Sequence, residues 1–139
     1  MDAFKELLRK LSQNQQLPYA LIRIFLGVAL LIRGIVLMTN PDAIIELVGE
    51  DQLFIWYALI AMAHIVGGIL ITIGFFTRAG ALIQIPILVS AVFFVHTQGG
   101  LMMGGQSLEL AVLVLFLLII YFVFGPGKYS ISHYFKKDY

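Results

Sequence analysis

No cysteine occurs among the 139 residues. Disulfide staples, thiol redox chemistry and Cys-ligated zinc or iron–sulfur centres are thereby excluded. Any redox work done by this chain needs another molecule to carry the electrons. Charge is also scarce: Asp, Glu, Lys and Arg make up 12% of the residues, about half the share usual in soluble domains. That leaves too little polar surface for a globule in water. The net charge of +1 provides no general basic field for nucleic acid.

Apolar residues fill the space that charge leaves. They account for 60% of the chain, with a mean hydropathy of +0.96. A spanning helix needs roughly 20 mostly apolar residues, and four stretches qualify: Tyr19–Thr39, Leu53–Phe76, Ala79–His96 and Leu108–Phe124. Each must be helical, because backbone groups in hydrocarbon have no water to bond. Lys5, Arg9 and Lys10 precede the first stretch, Arg78 falls between the second and third, and Lys128, Lys136 and Lys137 follow the fourth. The loops 40–52 and 97–107 contain no Lys or Arg. All bases outside the spans thus fall on one side, which the positive-inside rule assigns to the cytoplasm.

The expected architecture is all-α: a polytopic membrane four-helix bundle with a short amphipathic N-terminal interfacial helix. Residues 1–17 form that interfacial helix, 18–127 the bundle, and 128–139 a cytoplasmic amphipathic tail. Phe4, Leu7, Leu8 and Leu11 recur at helical spacing among charged residues, a pattern that lies in the plane of the interface and differs from a cleavable signal peptide. Pro41-Asp42 is expected to start a second short interfacial helix. Gly27 and Gly34, with Ala58, Ala61, Gly67, Gly68 and Gly74, predict close helix contacts. Pro86 is expected to kink the third span.

Polar side chains inside such spans are costly and persist where they face protein or water with partners. Arg23 lies within two turns of the cytoplasmic end, near enough to snorkel to its surface. Arg33, His64, His96 and Glu109 all fall in the outer half if their helices are neighbours, and Gln84 lies in the third span. A guanidinium there needs an acceptor, and Glu109 can supply a charge-assisted one. The histidines can donate, accept or pass a proton. Gln98, Gln106 and Ser107 extend such a network, with Trp56, Tyr57, Phe93 and Phe94 available to contact a ring. Arg33, His64, His96 and Glu109 are therefore the candidate ligand-binding residues. Structural polar glue between helices is the competing reading of the same four. Their spacing matches no metal motif, and no catalytic residue is assigned.

Three runs of sequence resemble the DoxX family of small four-helix membrane proteins. The first is Leu21-Ile22-Arg23-Ile24-Phe25-Leu26-Gly27 with Arg33-Gly34. The second is His64-Ile65-Val66-Gly67-Gly68 leading to Gly74-Phe75-Phe76-Thr77-Arg78-Ala79-Gly80. The third is Glu109-Leu110-Ala111 leading to Gly125-Pro126-Gly127-Lys128-Tyr129-Ser130. Many relatives carry an acidic residue where this chain has His64, and an aspartate where it has Ser132. The resemblance implies a four-helix membrane fold and, beyond it, a link to quinone-coupled oxidation, since some members are subunits of a thiosulfate:quinone oxidoreductase.

Three functions remain open on the sequence. The chain is a membrane subunit of a redox system, binding quinone as its non-covalent cofactor between the spans. Or it is a non-enzymatic accessory or scaffold, as a homo-oligomer or a subunit of a larger complex. Or it is a small transporter, which the lack of an inverted repeat disfavours. No self-contained catalytic motif makes it an enzyme alone. Each reading has the lipid bilayer as partner, redox-enzyme subunits as candidate partners, and a bacterial-type plasma (inner) membrane as its location, with both termini cytoplasmic.

Overall fold

A computed structural model of the chain describes residues 1–40, 53–96 and 108–136. Every regular element among them is helical: α1 (Asp2–Gln13), α2 (Gln16–Thr39), α3 (Leu53–Ile73), α4 (Thr77–Ser90), α5 (Leu108–Phe124) and α6 (Ile131–Lys136). The expected bounds of the four long stretches hold within a few residues. The winding of α4 passes through Pro86 and widens into a π-helical segment at Ala91–His96. The expected short helix after Pro41 lies outside the described residues.

The helix ends follow from local chemistry. Gly74 has φ +72°, its N–H bonds Ile71 O at 3.2 Å, and Phe75 N–H bonds Leu70 O at 3.1 Å. This is a Schellman ending, which needs a residue free of the left-handed steric penalty. At the end of α5, Gly125 has φ +81° and returns one bond from its N–H to Tyr121 O at 3.0 Å. Pro126 then forbids continuation.

The long helices pack in chain order. α2 lies against α3, α3 against α4, α4 against α5, and α5 returns to touch α2. The α2–α3 contact is made by small residues, as expected. A Cβ on Gly68 would stand 2.7 Å from Leu31 N, and one on Gly34 would stand 2.9 Å from Ile65 N. Backbones approach this closely only when nothing projects between them. The buried core joins Leu26 and Leu30 of α2, Ile71 of α3, Ala81 and Leu88 of α4, and Leu118 and Tyr121 of α5.

Outside that core the long helices remain apolar. Leu21, Phe25 and Ile32 of α2, Ile55 and Met62 of α3, Leu82 of α4 and Phe116 of α5 are all exposed. In water this would be an apolar patch far beyond what soluble monomers tolerate; in hydrocarbon it is the matching surface. α2, at 24 residues, is long and apolar enough to cross a membrane, spanning about 36 Å at ~1.5 Å per residue. Ala58–Ile73, Thr77–Phe93 and Glu109–Phe124 are apolar but shorter. α1 buries no residue and shows Phe4, Leu7, Leu8 and Leu11 on its surface.

Candidate functional site

Among the described residues, two polar regions occur within the packed helices. The first lies midway along α3 and α4. His64 is 2% exposed, and its Nδ1 lies 2.9 Å from Ile60 O. A carbonyl only accepts, so Nδ1 carries the hydrogen and Nε2 of the neutral ring is left as an acceptor. α3 meets α2 through Ala61, Ile65 and Gly68, and meets α4 through Ala63 and Gly67. At about 100° per residue, position 64 falls between those two faces and looks toward the helix cluster's axis. Gln84 of α4 is 0% exposed and donates from Nε2 to Ala63 O at 2.6 Å, while its Oε1 has no partner. Gln84 fits because Gly67 leaves room: a Cβ there would collide with the amide.

Arg33 of α2 is half-buried and precedes Gly34, which packs against Ile65, the residue after His64. Glu109 does not join them. It is exposed in the first turn of α5, nine residues before Leu118 and so half a turn away from the buried stripe. Among the described residues the ion pair formed is Lys10–Glu6, at 3.6 Å on the surface of α1; Arg33 and Glu109 are not bridged. His96 closes the π-helical segment. Trp56 and Phe93 are exposed. Gln98, Gln106 and Ser107 lie outside the described residues. The structure therefore sets Arg33 and His64 at one level of the α2–α3 contact, with Gln84 buried against α3 one turn away, a residue the sequence marked as a buried polar group but not as a ligand. The signal was an amide near the middle of an apolar span.

The second region is at the other end, where α2 begins and α5 stops. Here the snorkelling expected of Arg23 does not occur. Arg23 is 2% exposed. Its Nη1 donates to Pro126 O and its Nη2 to Tyr129 O, both at 2.7 Å. The guanidinium fork thus grips the chain just after α5, where carbonyls no longer serve a helix. Tyr19 adds a bond from its hydroxyl to Gly125 O at 2.6 Å, and Tyr121 donates to Tyr19 O at 2.7 Å. Ser132 donates to Gly74 O at 2.8 Å and its Oγ receives Phe76 N–H at 3.4 Å, tying the same segment to the α3–α4 turn. Residues 125–132, the last of the expected bundle and the first of the expected amphipathic tail, are stitched to the ends of α2, α3 and α4. Within it Gly127 has φ +80° and sits so close to Tyr19 that a Cβ would lie 2.8 Å from the ring.

The DoxX family profile matches residues 19–97, more than half of the chain. The chain belongs to the DoxX family. The matched stretch covers almost all of α2, α3, α4 and the π-helical segment, and so includes Arg23, Arg33, His64, Gln84 and His96. No curated protein and no solved structure matches the chain. Family membership agrees with the lipid-like exterior of the long helices: this DoxX chain is a membrane protein. The Arg23 grip links a residue inside the matched stretch to carbonyls beyond it.

Proposed function

We propose that this DoxX chain is an integral membrane subunit of a redox system, and that Arg33, His64 and Gln84 receive the head group of a quinone-like molecule. In this reading the four long helices cross the bilayer as a bundle with both ends cytoplasmic, and α1 lies in the interface on its apolar face. The supporting observation is Gln84 Oε1, a buried acceptor with no partner. Leaving such a group unmet costs about 1–3 kcal/mol, and a hydroquinone hydroxyl is a donor of suitable size and polarity. His64 Nε2 offers a second acceptor and a place for the proton, and Arg33 can donate to the oxidised carbonyl. With no cysteine in the chain, electrons pass to or from a partner subunit.

Thermal unfolding of the purified protein with a quinone analogue tests this directly. The analogue is expected to stabilise the native chain and to lose that effect in Gln84→Leu and His64→Phe. Full stabilisation of both variants would remove the site assignment.

A second reading, a non-enzymatic scaffold, draws on the same residues. Gln84 of α4 bonds the Ala63 carbonyl of α3, as polar glue between helices would, while His64 satisfies its ring on Ile60 O of its own helix. It predicts that no quinone analogue stabilises the native chain.

A further inference from the structure

We propose that the groove where α4 begins and α5 ends binds a phosphate-bearing anion, and that its source is the head group of an anionic phospholipid. The groove encloses about 550 Å³. Arg78, Lys128, His133 and Lys136 all line it, and among the described residues no acidic side chain does. These bases come from three segments: the first turn of α4, the stretch after α5, and α6. Their convergence is a product of the Arg23 and Ser132 contacts that fold residues 125–132 back onto the helix ends.

The bases are not consumed by one another's neighbours. Arg78 uses Nη2 to bond Val123 O at 3.2 Å, one of the carbonyls left over at the end of α5. That bond holds the guanidinium at the groove and leaves its other donors available. Neither Lys128 nor Lys136 takes part in an ion pair among the described residues. α4 also opens on this groove. Its N-cap Phe76 is in the left-handed region and supplies no side-chain cap, and the first backbone bond of the helix runs from Gly80 N–H to Phe76 O. The N–H groups of residues 77–79 thus precede the hydrogen-bonded ladder, where the helix dipole favours an anion. Thr77 lines the groove, is 1% exposed, and its Oγ1 has no partner.

The rim points to a lipid over free phosphate. Phe76 and Phe124 line the groove and are 63% and 74% exposed. An acyl chain leaving a bound head group would run along these rings and down the apolar outer faces of α4 and α5. This proposal needs the membrane setting of the family but no ligand at His64 or Gln84.

The test uses the full chain in mild detergent, with phosphatidylglycerol or phosphatidylcholine added and retention read by native mass spectrometry. Phosphatidylglycerol is expected to be retained in preference. Each surface base contributes about fivefold, so Lys128→Gln/Lys136→Gln should weaken retention roughly 25-fold. Lys5→Gln/Lys10→Gln, which removes the same charge from α1, should leave it unchanged. Displacement of the lipid by inorganic phosphate, with phosphate alone raising the unfolding temperature, would place the phosphate chemistry here and overturn the lipid as its source. Equal retention of the two lipids, or equal loss in the two double variants, would overturn the site.

Discussion

Replacing Arg23 with Met tests whether one buried guanidinium organises the basic end of the protein. Methionine keeps an unbranched apolar stem, so packing along α2 changes little. What is lost is the pair of bonds to Pro126 O and Tyr129 O, both 2.7 Å in length. Hydrogen bonds from a charged donor contribute about 1.5–3 kcal/mol each. The released carbonyls lie at the end of the helices and can reach water once the segment lifts, and the variant no longer has to bury a cation. The net loss is then about 2–4 kcal/mol, which raises the opening equilibrium of residues 125–132 by roughly 30-fold to 1,000-fold. Hydrogen exchange in a detergent micelle or nanodisc reads this at the amides of residues 127–132. Ser132 is the most informative, because its N–H bonds Gly74 O in the closed form. Exchange in the middle of α2 and α3 should change far less. Arg23→Lys should fall between the two, since an ammonium lacks the planar fork that reaches both carbonyls at once. If the tail of Arg23→Met exchanged within about twofold of the native rate, the grip would contribute almost nothing, and the segment would have to be held by Tyr19 and Ser132.

Four further outcomes follow from the packing. Tyr121→Phe keeps the ring in the core and loses only the bond to Tyr19 O, so a loss of about 1 kcal/mol is expected by thermal or denaturant unfolding. Gly68→Val places side-chain carbon against the backbone of Leu31, where nothing can swing aside; the loss should be about 3 kcal/mol or more, seen as a lower unfolding temperature. Gly125→Ala must adopt φ +81°, which costs about 1–2 kcal/mol in the left-handed region and should show as faster exchange at the end of α5. Gln84→Leu removes one bond and one unpartnered acceptor together, so in the absence of ligand its stability should stay within about 1 kcal/mol of native.

The element boundaries were legible because each depends on few neighbouring residues. Apolar runs of spanning length, Gly125 at the end of α5 and the alternation of charge along α1 are local facts, and a helix is a local structure; Gly74, expected as a packing glycine within a span reaching Phe76, instead ends α3. Glycines 27, 34 and 68 announced a close contact for the same reason: absent side chains leave one obvious use in an apolar helix. The sequence also marked Arg23, Arg33, His64 and Gln84 as polar groups requiring partners.

The partners themselves were not legible, because they are set by helix rotation and by where the chain returns. Residue counting set Glu109 and Arg33 at a similar depth, but α5 is turned so that Leu118 faces inward and Glu109 does not. Arg23 had a water surface within reach by counting residues; it is instead enclosed by carbonyls from a segment a hundred positions later, which spacing along one helix cannot reveal. By itself the sequence determined helices, their lengths and the apolar medium they require, since backbone bonding and hydrophobicity act residue by residue. Only the tertiary structure decided which buried polar atom meets which carbonyl, because a hydrogen bond depends on direction and distances of a few ångströms between helices.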